Sequence, residues 1–512
     1  MTYTLVPNRR QLFSAAGRSL LAGVMARLPI RGAARTEGNI YQRIGVEPII
    51  NCKGTFTIIS GSQTLPEVKK ALDEASRHYV HLDELMEGVG RRLAELTRAE
   101  WGIITAGCAA ALTHATSACI AGANPEKMQR LPKLAGLKHE VVMPKASRNV
   151  YDHAIRMTGV TMITPSTREE FMAALRPSTA MVALLGEAMD RHPMKVEEIA
   201  QAAHAHGIPV LVDAAAERLT IPNVYLKAGA DMVAYSGGKC LRGPQCAGVL
   251  LGRKDLLQAA WINSAPHHAF GRSLKVGKEE IMGMLAAVEA WTKRNHDAEW
   301  KQWEGWLGVI RDKVSSIPTV QTEVLQPRGP SNFAPQLRIS WDTKKLGVTG
   351  TELSDALLAG TPRILIPSAA ESVTIMPYMM MPGDAETVAP RLRELLSKPP
   401  KRPAAPAAGG TAQAGGQWDV EISYLRDQVT HSVFFEQNGD KLRGSHRGEF
   451  LQADLSGSLE GSTARWRSNH HYEGTSIGYS FEGTLDGDSM RGTVDVGEYG
   501  KAPFTARRHF HA

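Results

Sequence analysis

The chain has 512 residues, of which 43% are hydrophobic and 22% are charged, and its formal net charge is +7. This length exceeds one domain, and the composition excludes fibrous and disordered proteins, so two or more buried cores are expected. The positive charge is local, because residues 1–36 contain six arginines and no acidic residue. The rest of the chain is close to neutral, so overall basicity does not support nucleic-acid binding.

Residues 1–36 resemble a twin-arginine export signal. Arg9 and Arg10 precede a short apolar stretch at 20–26 and small residues at 32–34. Signals of this kind combine a basic region, an apolar region and small residues. We therefore expect export to the periplasm, and the alternative is a basic extension of a cytoplasmic enzyme.

Residues 37–334 are predicted to form a large α/β domain. Short apolar runs alternate there with helical patterns: strands at 102–105, 141–143, 181–185, 210–213, 232–234 and 248–251, and helices at 109–121, 150–158 and 196–206. Such alternation predicts a mainly parallel sheet with helices on both faces. An uncharged stretch at 101–125 has too few large apolar side chains for a membrane span, so no transmembrane helix is expected.

Two further segments precede the last domain. The pattern at 335–396 predicts a small α+β lobe, with strands at 336–341, 363–366 and 373–376 and helices at 351–358 and 385–396. Residues 397–415 are mostly proline, alanine and glycine. A segment of this composition buries little apolar surface, which indicates a linker.

Residues 416–512 predict a β-rich accessory domain. Short runs of alternating polar and apolar residues are separated by turns such as Asn438-Gly439 and Asp486-Gly487. This pattern favours seven or eight antiparallel strands in a meander or small barrel. No metal site is predicted, because isolated histidines on alternating strands are expected to face solvent: His431, His446, His470 and His471.

The residues that carry chemistry follow strands of the large domain. They are Gly107, Cys108 and Ala109 after the first strand, Asp213 at the end of the fourth, and Ser236 and Lys239 after the fifth. The carboxyl ends of parallel strands form the edge at which ligands bind. Free N–H groups at a helix N-terminus can hold a phosphate. A phosphate loop, an aspartate and a lysine in this order match one known layout.

That layout is the one found in fold-type-I enzymes dependent on pyridoxal phosphate (PLP). Residues from about 40 to 396 resemble the selenocysteine-synthase-like group, which includes D-glucosaminate-6-phosphate ammonia lyases. The resemblance rests on Asn51 with Gly54, on Thr105-Ala-Gly-Cys-Ala-Ala-Ala, on Asp213-Ala-Ala-Ala-Glu217, on K-x-x-x-G-P-Q-x-x-G at 239–248, and on R-x-x-K-V-x-K at 272–278.

The resemblance implies roles for these residues. Lys239 would form a Schiff base with PLP and later take the substrate Cα proton. Asp213 would face the pyridine nitrogen and keep it protonated. The N–H groups around Gly107, Cys108 and Ala109, together with Ser236, would hold the phosphate.

Three arginines are predicted to bind anions. Arg272 resembles an anion-binding arginine of the family, and a homodimer or higher homo-oligomer is expected, in which Arg272 acts across the subunit boundary. Arg148 and Arg363 are predicted to bind a substrate carboxylate or phosphate, and the alternative for both is a surface salt bridge.

The expected function is a PLP-dependent lyase that acts on an amino acid or amino sugar acid by Cα deprotonation, β-elimination and release of ammonia. Racemase, aminotransferase and β-replacing transferase activities remain open, because they share the same carbanion. A tRNA-linked selenium transferase is disfavoured, since Gly238 precedes Lys239 where selenocysteine synthases have aspartate. Ser147 stands where the lyases often have a histidine, so ring stacking by that histidine is lost.

Overall fold

A seven-stranded sheet, a four-stranded sheet, a strand pair and a closed barrel organise the protein. The computed structural model describes residues 38–399 and 412–509. The predicted export signal at 1–36 lies outside the described residues.

The elements of the large lobe up to its last strand are β1 (Ile49–Asn51), α1 (Pro66–Ser76), α2 (Leu82–Thr97), β2 (Trp101–Thr105), α3 (Cys108–Ala121), α4 (Pro125–Met128), β3 (Glu140–Val142), α5 (His153–Arg156), β4 (Thr161–Ile163), α6 (Arg168–Ala174), β5 (Thr179–Leu185), α7 (Val196–His204), β6 (Val210–Asp213), α8 (Val224–Lys227), β7 (Met232–Ser236) and β8 (Gly248–Gly252). They are followed by α9 (Lys254–Ile262), α10 (Lys278–Lys293), α11 (His296–Val314), β9 (Gln321–Leu325), β10 (Gln336–Ser340), α12 (Thr343–Leu346), α13 (Gly350–Ala359), β11 (Arg363–Leu365), β12 (Ser368–Ala369), β13 (Ser372–Ile375) and α14 (Asp384–Ser397). The barrel contains β14 (Gly416–Ser423), β15 (Gln428–Asn438), β16 (Lys441–Arg447), β17 (Gln452–Glu460), β18 (Thr463–Tyr472), β19 (Thr475–Asp486), β20 (Ser489–Asp495) and β21 (Lys501–Arg508).

The large sheet has the strand order β2-β8-β7-β6-β5-β3-β4. All neighbouring pairs are parallel except those of β8, which is antiparallel to both β2 and β7. The predicted mainly parallel sheet is therefore confirmed. Because β8 opposes both of its neighbours, the carboxyl ends of β2, β6 and β7 lie at one edge of the sheet. Strand β6 is completely buried, as expected for an apolar strand between two helical layers.

The smaller lobe is built on an antiparallel sheet with the order β12-β13-β10-β9. Its core combines sheet residues such as Leu337 and Val373 with Leu392 of α14. Cys52 and Leu307, which precede residue 335, belong to the same core. Strand β1 pairs in parallel with β11. This segment precedes the large sheet in the chain but lies against the small lobe.

None of the helices within 38–399 and 412–509 is long and apolar enough to cross a membrane. The five cysteines, all in this part of the chain, are free.

The last domain is a closed antiparallel barrel in which β14 to β21 pair in chain order and β21 returns to β14. This confirms the predicted meander barrel. Large aromatic side chains fill the interior: the Trp466 and Phe481 rings stack with centroids 4.5 Å apart, and Phe504 packs edge-on against both. Closure leaves no sheet edge exposed, which suits a small β domain joined by a linker.

The prediction that the barrel histidines face solvent is wrong for three of the four. His431, His446 and His470 are buried, and only His471 is exposed. The physical reason is strand periodicity: His431 is two residues from both Val429 and Val433, whose side chains also point inward. The alternation of the sequence already contained this signal.

The buried histidines form a hydrogen-bonded chain. His446 Nε2 lies 2.8 Å from His431 Nδ1, and His446 Nδ1 lies 3.1 Å from His470 Nε2 and 2.6 Å from the Ser468 hydroxyl. One ring cannot bind the same metal ion through both of its nitrogens, so the geometry suits hydrogen bonds. Among the described residues no group of three or more histidine, cysteine or acidic side chains is arranged to hold a metal.

This chain of histidines makes the stability of the barrel depend on pH. Burial, together with the neighbouring histidines, lowers the pKa of His431 to about 4 and that of His446 to about 2. The unfolded chain, with histidine pKa values of about 6.5, therefore takes up protons that the folded barrel does not. Stability is expected to be constant above pH 7 and to fall below about pH 6.5, by about 1.4 kcal/mol per pH unit for each histidine that titrates.

Calorimetry of the full chain between pH 8 and pH 5 checks this expectation. His446→Gln should reduce the pH dependence of the barrel transition, while the exposed-site control His471→Gln should leave it as in the unmodified protein. Equal dependence in all three proteins would show that the buried histidines do not govern acid stability.

Candidate active site

The loop after β7 places Lys239 at the shared carboxyl edge of the large sheet. Its two glycines are needed for close packing, because a Cβ at Gly237 would lie 2.6 Å from Met284 Sδ and one at Gly238 would lie 2.6 Å from Gln245 Cα. The Gly237 N–H donates to Ala247 O at 2.8 Å. The two glycines are thus held against residues 245–247. Lys239 itself is half-buried.

Asp213 ends β6 beside this loop and is only 5% exposed. Its carboxylate accepts hydrogen bonds from the Ala215 N–H at 3.0 Å and from the Cys108 thiol at 3.6 Å. Burial raises the pKa of Asp213, and the nearby Lys239 ammonium opposes this shift. A buried carboxylate in such a position is stabilised by a cation next to it.

The turn from β2 into α3 has the properties of an anion site. Gly107 has φ +87°, and a Cβ there would meet no atom within 4 Å, so the space beside the turn is open. No side chain caps the start of α3. The N–H groups of its first turn, including those of Cys108 and Ala109, therefore have no acceptor within the helix. Ser236 ends β7 nearby, and its N–H donates to Ala215 O.

A fourth element is the segment that follows β3, which contains Ser147 and Arg148 and also three residues that the sequence analysis missed: Asn149, Tyr151 and Asp152. Asn149 and Asp152 line a small cavity together with Asp213. The Tyr151 ring centroid lies 5.8 Å from Lys239 Nζ. The buried Ser147 hydroxyl has no hydrogen-bond partner among the described residues. The resemblance at position 147 placed this segment near the cofactor ring, but no pattern in the sequence indicated that Tyr151 lies beside Lys239.

The three predicted anion-binding arginines differ in their surroundings. Arg148 donates to Asp152 at 2.5 Å and to Glu473 at 2.5 Å, so two carboxylates already balance its charge. Arg363 donates to backbone carbonyls of the small lobe and of the segment before β1. Arg272 is exposed and has no ion pair among the described residues. The structure therefore brings Asp213, Cys108 and Lys239 together, and the arginine roles stay predictions.

Comparisons with known proteins show what this chain is similar to. The aminotransferase class-V family matches residues 147–271. The chain is 26% identical over 373 residues to D-glucosaminate-6-phosphate ammonia lyase of Salmonella typhimurium, which covers 70% of this chain and 98% of that protein. A solved structure of D-glucosaminate-6-phosphate ammonia-lyase aligns with a TM-score of 0.63 at 26% identity. The alignment covers 70% of this chain and 98% of the chain in that structure.

The first two lobes are a PLP-dependent enzyme of fold type I. A second relative, 5'-C-glycyluridine monooxygenase-decarboxylase from a Streptomyces species, is 27% identical over 372 residues, which cover 70% of this chain and 92% of that protein. Nearly all of each relative matches 70% of this chain, so the remaining 30% has no counterpart in them.

The residues of this PLP enzyme fit the cofactor. The buried Asp213 carboxylate would be stabilised by a protonated ring nitrogen, and the uncapped start of α3 borders open space for a phosphate. Lys239 lies close enough to both Asp213 and Cys108 to affect the pKa of each. Burial, with the Asp213 charge, raises the pKa of Cys108, so its thiol stays protonated and donates to Asp213.

Proposed function

We propose that this PLP enzyme is a lyase that releases ammonia from an amino acid or amino sugar acid with a β-hydroxyl group. The observation that carries the proposal is the buried contact of Asp213 with Cys108 beside Lys239, in a chain similar to an ammonia lyase over nearly the whole of that relative.

The roles of the chain's own residues follow from this geometry. PLP, when bound, supplies an electron sink for the negative charge that develops at the substrate Cα. Asp213, oriented by the Ala215 N–H, would hold its negative charge toward the ring nitrogen of the cofactor. The Lys239 amine would take the Cα proton of the bound substrate. The bond between Cβ and the hydroxyl oxygen would then break, and the proton held by Lys239 would leave with that oxygen as water. Addition of water to the released enamine would yield a 2-oxo acid and ammonia.

Other outcomes begin with the same proton transfer. Racemisation returns the proton to the opposite face of Cα, transamination moves the amino group to a second oxo acid, and β-replacement adds a new nucleophile at Cβ. The similarity to a monooxygenase-decarboxylase supports a second candidate, oxygen-dependent decarboxylation of an amino acid. These reactions differ in their products, so one assay can separate them.

A product screen tests the lyase proposal. The protein reconstituted with PLP is incubated with D- and L-amino acids and amino sugar acids, with and without a phosphate group. We expect equal amounts of ammonia and 2-oxo acid, without oxygen consumption, from at least one substrate that has a β-hydroxyl. Carbon dioxide release with oxygen consumption would assign the second candidate, and racemised substrate without ammonia would assign an isomerase.

We also propose that the enzyme is exported and acts as a homo-oligomer, with the exposed Arg272 reaching a neighbouring subunit. Two observations support these proposals: the arginine pair at 9–10, and the exposed Arg272, which has no ion pair in the part of the chain that the structure describes. N-terminal sequencing of the protein from its native cell tests the first, and light scattering with the Arg272→Ala variant tests the second. An intact Met1 in the cytoplasm, or a monomer that binds PLP normally, would contradict them.

A further inference from the structure

The barrel touches the large lobe through the turn between β18 and β19. Tyr472 pairs with Thr475, so the turn itself consists of Glu473 and Gly474. The Glu473 carboxylate accepts a hydrogen bond from Arg148 Nη2 at 2.5 Å. The Arg156 guanidinium lies 5.9 Å from the centroid of the Tyr472 ring. The turn therefore joins two domains that are separated by a linker in the sequence.

This turn differs from the other tight turns of the barrel. At Gly439, Gly461 and Gly487 a glycine occupies the position with φ near +60°, as the left-handed backbone favours. In the β18–β19 turn the residue with positive φ is Glu473, at +52°. A non-glycine residue in this region is strained and persists where surrounding contacts hold it. Here the contact that holds it is the ion pair with Arg148.

Gly474 brings the turn against the backbone of the large lobe. A Cβ at this position would lie 2.2 Å from Asn149 O and 2.3 Å from Asp152 Oδ2. At Gly439 and Gly487 the same atom would meet nothing within 4 Å. Only glycine permits this approach, so the contact is closely packed.

The segment under the turn is a wall of the cofactor site. The Asp152 carboxylate is fully buried and accepts from Arg148 Nε at 2.5 Å and from Arg156 Nε at 2.9 Å. Asp152 also lines the small cavity that Asp213 lines. Tyr151, next in the chain, faces Lys239 Nζ at 5.8 Å. Asp152 therefore lies between the barrel turn and the cavity that Asp213 lines.

We propose that the β18–β19 turn is a positioning element of the PLP site, which holds residues 148–152 so that Tyr151 faces Lys239. Arg148 then connects the barrel to the site through Asp152 and Glu473, and the substrate anion binds to another cation. The proposal rests on the cofactor site and not on the lyase reaction. It also gives a function to the part of the chain that has no counterpart in the relatives.

Gly474→Val in the full-length protein is the main test. The added side chain must push the turn away from Asn149 and Asp152, and overpacking of this kind changes an equilibrium by roughly a factor of ten. We expect the Kd for PLP, measured by absorbance titration, to rise about tenfold and the absorbance maximum of the bound cofactor to shift. The matched control is Gly478→Val in β19, where the nearest atom to a Cβ is 4.0 Å away, and it should bind PLP normally.

Two further variants separate positioning from loss of folding. Glu473→Gln removes the charge of the turn and should weaken PLP binding without lowering the Tm of the chain, and Glu473→Asp should restore part of the binding. The control Glu460→Gln breaks a different barrel ion pair, with Arg465, and should have no effect on PLP. In a Tyr151→Ala background, Gly474→Val should have little additional effect, because the turn acts through Tyr151.

Normal PLP affinity and an unchanged spectrum in both Gly474→Val and Glu473→Gln would overturn the proposal. If Gly474→Val does not fold, Glu473→Gln alone decides. These measurements report cofactor binding and no product, so a failed lyase screen leaves their result valid.

Discussion

Replacing Lys239 by alanine is expected to abolish the enzyme's turnover and the absorbance band of its lysine-bound cofactor. The side chain would supply both the covalent link to PLP and the base for the Cα proton. Burial raises the pKa of both Asp213 and Cys108, and the Lys239 charge opposes each of these shifts. General-base catalysis alone contributes about 10²–10⁴-fold to a rate, so the loss should be at least of that size. Borohydride reduction followed by peptide mapping should place the cofactor on Lys239 in the unmodified protein.

The matched control is Lys227→Ala, which removes an exposed lysine of α8 in the same lobe. This variant should keep the absorbance band at roughly 410–430 nm that PLP bound to lysine gives. Its spectrum should match that of the unmodified protein. A Lys239→Ala protein that retains activity, or an unmodified protein that stays colourless with added PLP, would contradict the assignment of Lys239.

Asp213→Asn is expected to have the second-largest effect. The amide has nearly the same size and can still accept from the Ala215 N–H, so the fold and PLP binding should survive. It cannot oppose a positive charge on the ring nitrogen, and the loss of one preorganised electrostatic group costs about 10²–10³-fold in rate. The measurement is kcat on the substrate found in the product screen, with PLP occupancy determined in parallel.

Asp231→Asn provides the control for this substitution. Asp231 is another buried carboxylate of the large sheet, but it precedes β7 and pairs with Arg253 at 3.0 Å and with His204 at 2.8 Å. Its substitution should lower the stability of the lobe and leave the activity per PLP site unchanged. If Asp231→Asn and Asp213→Asn reduce kcat equally, the role given to Asp213 is incorrect.

Much of the fold could be predicted because its signals are local. The run Val210–Asp213 is apolar up to its final carboxylate, and it is a buried strand that ends on Asp213 with the predicted bounds. The barrel was evident from the alternation of polar and apolar residues. The core of the small lobe was harder to predict from the sequence. Cys52 and Leu307 join it from distant parts of the chain, and no pattern around either residue indicates this.

The site was predictable to the same extent. Asp213, Lys239 and the start of α3 could be placed at one sheet edge, because parallel strands bring their carboxyl ends together. The parallel relation of β2 to β7 depends on β8, which opposes both, and the direction of β8 is set by tertiary pairing. Tyr151 could not be placed beside Lys239, since the two residues are joined by no common element.

The sequence by itself determined the alternation of strands and helices in the large sheet and the antiparallel barrel, because hydrophobic periodicity acts over a few residues. The tertiary structure decided what the residues of these elements meet. It joined His431, His446 and His470 into one buried chain, and it brought Glu473 to Arg148 across 325 positions. Contacts of this range depend on how whole domains pack, which no local pattern encodes.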